Sequence, residues 1–172
     1  ASGGLGSTKC MARGCGEDEN QEHLVECPTI ATIFWSKIAA FMGALSMDAS
    51  DNKRKWILGM LPSGKTVGRE EAAIIFWAWR CLYAEVVAAR IDNRDLKPGN
   101  AYKNTIRLAY TRVKAYGDKW YRWYSKQRYR KDAKVIPLKH RDKKLVSSDR
   151  DATYVIRKAL KDEFRRIVLG AS

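Results

Sequence analysis

Three cysteines and a histidine, Cys10, Cys15, His23 and Cys27, stand close together in the stretch CMARGCGEDENQEHLVEC. Four residues separate the first two cysteines, seven precede the histidine, and three more precede the last cysteine. Three thiolates and one imidazole make a complete tetrahedral set for Zn2+, with no coordination position left for water. A closed site of this kind holds a fold together and activates no nucleophile, so the expected cofactor is a structural zinc. Gly14 and Gly16 flank Cys15, where the chain has to turn tightly to bring two thiolates to one ion. A disulfide is the alternative use of these thiols. The chain has only 4 cysteines and 2 histidines, however. Sulfur clustered with histidine in a chain otherwise thin in cysteine points to a metal site in a reducing, intracellular compartment. The remaining thiol, Cys81, lies far away in an apolar run and is expected to be buried and unpaired.

With the residues that follow it, the stretch resembles the zinc-binding segment found after the reverse transcriptase domain of non-LTR retrotransposons. The matching positions are Cys10, Cys15, Glu17, Glu19, His23, Leu24, Cys27, Pro28 and Trp35. The first cysteine pair is spaced more widely than in that segment, and the gap from His23 to Cys27 is one residue shorter. The resemblance covers residues 9–45. It implies a CCHC zinc element followed by a tryptophan-bearing helix, in the tail of a retroelement enzyme or in a descendant recruited to a ribonucleoprotein.

The elements that position these ligands read as helices. Residues 1–9 are a Gly/Ser-rich lead expected to be flexible. Pro28 suits a first helical turn, and Ile30, Phe34, Ile38, Phe41 and Leu45 recur at helical spacing, with Trp35 and Met42 widening the stripe. Ser46 to Lys55 reads as a polar loop, Trp56 to Leu58 as a short helical turn, and Pro62-Ser63-Gly64 as its end. Residues 68–92 form the strongest helical pattern. Ile75, Trp79, Leu82 and Val86 lie on one face and Ala72, Phe76, Tyr83 and Val87 on the next, which predicts a central core helix. Trp77 and Trp79 at this spacing are expected in the core, and Arg80 and Glu85 at its edge. After a break at Asn93 to Asn100, residues 101–132 predict one long amphipathic helix with Tyr102, Ile106, Tyr110, Val113, Trp120 and Tyr124 on its docking side. A final helix is expected from Ser148, burying Ala152, Val155, Ile156, Ala159, Leu160, Ile167 and Val168. The expected fold class is all-α: an N-terminal zinc finger or knuckle (10–45) packed on a basic four-helix domain (46–172).

With 172 residues, 45% of them apolar, the chain is long enough to bury a core. No apolar run reaches the roughly 18 residues of a membrane span, so no membrane partner is expected. Its net charge of +14 and pI near 9.8 favour polyanionic partners. A start at Ala1 is expected of a processed or partial chain, and with the high pI it fits an organellar ribonucleoprotein such as a mitochondrial ribosome-like particle.

The charge is unevenly placed. From Lys103 to Lys144 there are fifteen Lys or Arg against three acids, twelve of the net +14. The finger is the reverse, with Glu17, Asp18, Glu19, Glu22 and Glu26 facing only Lys9 and Arg13. Coulomb repulsion makes an acidic loop a poor grip for phosphates, which moves any nucleic-acid contact to the basic segment. There, aromatic and basic side chains alternate, and exposed rings beside guanidinium groups can stack on unpaired bases. The expected RNA contacts are Lys114, Lys119, Tyr121, Arg122, Trp123, Lys126, Arg128, Tyr129, Arg130, Lys131, Lys139, Arg141, Lys143 and Lys144. RNA is favoured over DNA because no helix–turn–helix, tandem-finger or zipper pattern is present.

No Walker loop, nucleotide-fold glycine signature, nucleophile elbow, HExxH or pair of polymerase aspartates occurs. Asp142-Lys143-Lys144 has the form of an Asp-x-Lys nuclease element without an upstream acid, and His140 is a lone histidine among lysines. A noncatalytic RNA-binding subunit of a larger protein assembly is therefore expected. The alternative is a protein-interaction scaffold whose basic helix meets an acidic partner.

Overall fold

The computed structural model describes residues 9–45, 47–112, 160–162, 164–166 and 170. Among them the chain is helical, with two isolated bridges, Lys9 to Asp18 and Met60 to Thr66, and no strand. It divides into two compact units, residues 1–105 and 106–172.

In the first unit, α1 spans Gln21–Glu26. A second helix, α2, follows as three contiguous parts: Pro28–Ile30, a π-helical turn Ala31–Trp35, and Ser36–Ala44. Then come α3 (Lys53–Leu58) and α4 (Arg69–Ile91). Residues 98–112 form a further helix that opens on Pro98, whose missing N–H would be unpaired there in any case.

The apolar stripe expected for α2 is buried throughout, from Ile30 through Phe34, Ile38 and Phe41 to Leu45. Trp35 and Met42, which widen that stripe in the sequence, are buried with it; Phe34 and Trp35, in the π-helical turn, are both 0% exposed. Trp35 is the hub of an aromatic cluster: Trp56 stacks on it at 5.0 Å, and Trp79 meets it edge-on at 4.9 Å. Each indole N–H in the cluster has an acceptor. Trp35 Nε1 donates to the Leu24 carbonyl (2.9 Å), Trp56 Nε1 to Asp51 Oδ1 (2.7 Å) and Trp79 Nε1 to the Trp56 carbonyl (2.8 Å). These bonds let large rings fill a core without stranding a polar atom. Trp35→Ala, which empties this hub, is expected to cost about 3–5 kcal/mol, read as a lowered denaturation midpoint at unchanged m-value.

Three expectations are corrected in this unit. Lys53 to Lys55, read as loop, open α3, because Asn52 caps that helix by accepting from the Lys55 amide (2.8 Å). Lys55 is moreover fully buried, with its ammonium donating to the carbonyls of Asp48 and Ser50 and lying 4.8 Å from the Trp56 ring centroid. The loop before α3 is thus pinned by a cation that the core has closed over. Secondly, α4 is a core helix on one side only. Ile74, Ile75, Ala78, Cys81, Leu82, Val86 and Ala89 are buried, whereas Phe76, Tyr83, Val87 and Ile91 remain exposed. The segment Glu70–Ile91 has the length and mean hydropathy of a membrane span, although Arg80 and Glu85 interrupt its apolar run. Its buried side carries Glu85, which accepts from Arg94 Nη1 (2.7 Å) and from the Lys97 amide (3.1 Å). Thirdly, Glu85 was expected at the edge of the packing; it is buried because it anchors the turn that follows α4. Cys81 is buried and free of any disulfide, as expected, and burial pushes its thiol pKa up.

In the second unit, Ile106, Ala109 and Leu160 are buried, and Tyr110 stacks on Phe164 at 4.6 Å. Tyr102, another residue of the expected stripe, is buried in the first unit, and the remaining stripe residues of the two C-terminal helical expectations lie outside the described residues.

Candidate metal centre

The centre is built from two short local structures. In the first, the chain folds back between Lys9 and Asp18. The Cys10 amide donates to the Glu17 carbonyl (2.9 Å), and the Cys15 amide donates to the Ala12 carbonyl (3.0 Å). Gly14 makes this turn at φ +75°, a conformation L side chains resist. A Lys9–Asp18 ion pair of 2.8 Å closes the mouth of the loop and holds the Asp18 carboxyl below the usual carboxylate range. The second structure is α1. Asn20 caps it by accepting from the His23 amide (2.8 Å). His23 and Cys27 are four residues apart, one helical turn, so both face the loop.

Together these place Cys10 Sγ, Cys15 Sγ, the His23 imidazole and Cys27 Sγ within 4.8 Å of one another. Cys15 Sγ and His23 Nε2 are 3.3 Å apart. Cys10 and Cys27 are buried; Cys15 and His23 are half-buried, and all four cysteines of the chain are free of disulfides. The structure thus brings together the four residues singled out from their spacing, and this donor set is compatible with one bound metal ion. Burial pushes the Cys10 thiol up to about 12, with Cys27 and Cys15 adding to the effect. A cation among the sulfurs reverses that preference, since ligation takes the thiolate form.

The loop and α1 are tied to the rest of the first unit from four directions. The Leu96 amide donates to the Met11 carbonyl (2.8 Å), and Trp35 reaches the Leu24 carbonyl on α1. Lys53 bridges Glu22 and Glu26 at 3.1 and 2.9 Å, and Arg90 pairs with Glu19 at 2.7 Å. Three of the finger's five acids therefore pair with more distant parts of the unit, and a fourth, Asp18, pairs with Lys9 inside the loop. Sequence reasoning identified the acidic excess but not the distant partners, which lie 27 to 71 residues away along the chain.

Of the expected RNA-contacting residues, all fourteen from Lys114 to Lys144 lie outside the described residues. The basic segment enters the described part through Lys103 and Arg107, one turn apart and both exposed on helix 98–112, while Ala101, Tyr102, Thr105, Ile106 and Ala109 are buried. The chain matches no protein-family model, no curated protein and no solved structure.

Proposed function

We propose that this chain is a noncatalytic, zinc-stabilised RNA-binding module, a structural component of a ribonucleoprotein related to the tail of a retroelement reverse transcriptase. The finer architecture in this reading is a zinc knuckle seated on a basic four-helix domain. The separation of its charges carries the reading. The acidic metal loop has its carboxylates engaged inside the first unit, whereas the segment from Lys103 to Lys144 holds twelve of the net +14. Polyanion binding by electrostatics needs the second and is opposed by the first.

Zinc is the ion the donor chemistry favours. Bonds of about 2.3 Å to sulfur and 2.0–2.1 Å to nitrogen in a tetrahedron put donors roughly 3.5–3.8 Å apart, a modest closure from the spacing of the free cluster. When bound, the ion supplies a cross-link between loop and helix. Cys10, Cys15, His23 and Cys27 use all four positions, which suits a structural role and a reducing compartment inside the cell, the mitochondrion among them.

The test is a titration of the zinc-loaded chain against structured and single-stranded RNA at several salt concentrations. Expected is an affinity that falls steeply and linearly on a log–log plot. A second reading, a protein-interaction scaffold, draws on the exposed apolar side chains Phe76, Tyr83, Val87 and Ile91 of α4. No RNA binding even at low salt would remove the first reading and leave the second.

A further inference from the structure

Glu19 is the unusual acid of the metal loop. Its side chain is only 7% exposed, Oε1 accepts from Arg90 Nη2 at 2.7 Å, and Oε2 is buried with no hydrogen-bond partner. A buried, half-satisfied carboxylate is costly, because desolvation of an ionised oxygen is offset only when that oxygen is paired. Burial accordingly raises the Glu19 pKa, with Arg90 and the nearby His23 acting in the opposite direction.

A complementary donor is available on His23. His23 presents Nε2 to Cys15 Sγ, so Nε2 is the nitrogen placed to ligate a metal. The imidazole proton then has to sit on Nδ1, and ligating histidines commonly donate that proton to a carboxylate, fixing the ring and raising its basicity. Asn20, between Glu19 and α1, already holds the His23 backbone by accepting from its amide.

We propose that Glu19 is the outer-sphere carboxylate of the metal centre: when the ion is bound, its Oε2 accepts the Nδ1–H of His23 while Arg90 of α4 clamps its Oε1. The inference rests on the metal reading above. Glu19 is a positioning residue in this arrangement: it orients a ligand and touches no ion. Arg90 has a second part, set by charge. Three thiolates around a dication leave the centre net negative, and a further carboxylate beside it is tolerable only with a cation at hand. The path from ion to His23, Glu19, Arg90 and α4 joins metal occupancy to the seating of the loop on the longest described helix.

Zinc affinity of the full chain, measured by competition with a chromophoric chelator, tests this together with long-range 1H–15N spectra of the His23 ring. Glu19→Ala is expected to weaken zinc about 10–100-fold and to abolish a slowly exchanging Nδ1–H signal. Glu19→Gln, whose amide oxygen can accept the same proton, is expected to recover most of the affinity and keep the signal. Wild-type affinity and an unchanged ring spectrum in Glu19→Ala would overturn the proposal. So would equal losses in both variants with the His23 spectrum unaltered, the mark of a packing role. If Glu19→Ala does not fold, loss of the Nδ1–H signal in folded Glu19→Gln overturns it. Failure of the wild-type chain to bind zinc at one equivalent is a separate outcome that removes the metal reading and, with it, this one.

Discussion

Cys27→Ser is expected to abolish stoichiometric zinc binding and to unfold the first unit at temperatures where the wild-type chain is folded. Structural zinc contributes an apparent ~10–16 kcal/mol in small finger peptides, whereas a whole domain is typically stable by only about 5–15 kcal/mol. Losing one of four ligands therefore removes an amount comparable to the entire margin. Position makes Cys27 the most damaging of the four to lose. It is 1% exposed, its amide donates to the His23 carbonyl, and its carbonyl accepts from the Ala31 amide, so it joins α1 to α2. When α1 loosens, Trp35 loses its acceptor at Leu24, and the cluster with Trp56 and Trp79 loosens with it. Tryptophan fluorescence and thermal melting report this directly, and a chelator added to the wild-type chain is expected to reproduce it. An unchanged melt after complete metal loss would show that the ion is not structural.

The second large effect follows from the RNA binding proposed for the basic segment. Reversing Arg122, Lys126, Arg128 and Arg130 to Glu changes four charges by two units each and takes the net charge from +14 to +6. Each phosphate that no longer meets a cation flattens the salt dependence by about one unit of log–log slope, so a fall of about three to four units is expected. Affinity at low salt is expected to drop on the order of a thousandfold, because repulsion replaces counterion release at each position. Far-UV circular dichroism should be unchanged, since Glu is as good a helix former as the residues it replaces. Undiminished affinity would place the RNA-binding face elsewhere, with Lys103 and Arg107 the first residues to replace next.

Residue type and spacing alone determined a good deal of this protein. Donor chemistry picked out Cys10, Cys15, His23 and Cys27, because thiolates and imidazole in a short window have few other uses in a chain so thin in both. Periodicity identified the buried stripe of α2 and the apolar run holding a buried, unpaired Cys81, because helical repeat is a local property of sequence. Tertiary structure decided the rest. Lys55 was enclosed because nearby carbonyls and an indole ring met its charge. One apolar side of α4 stayed exposed, because periodicity reports which faces are apolar and not how many neighbours arrive to cover them. Glu19 was one acid among five until Arg90, 71 residues on, paired with it. Partners so far apart in the chain leave no trace in local spacing; only the packing of α1 to α4 brings their charges within reach.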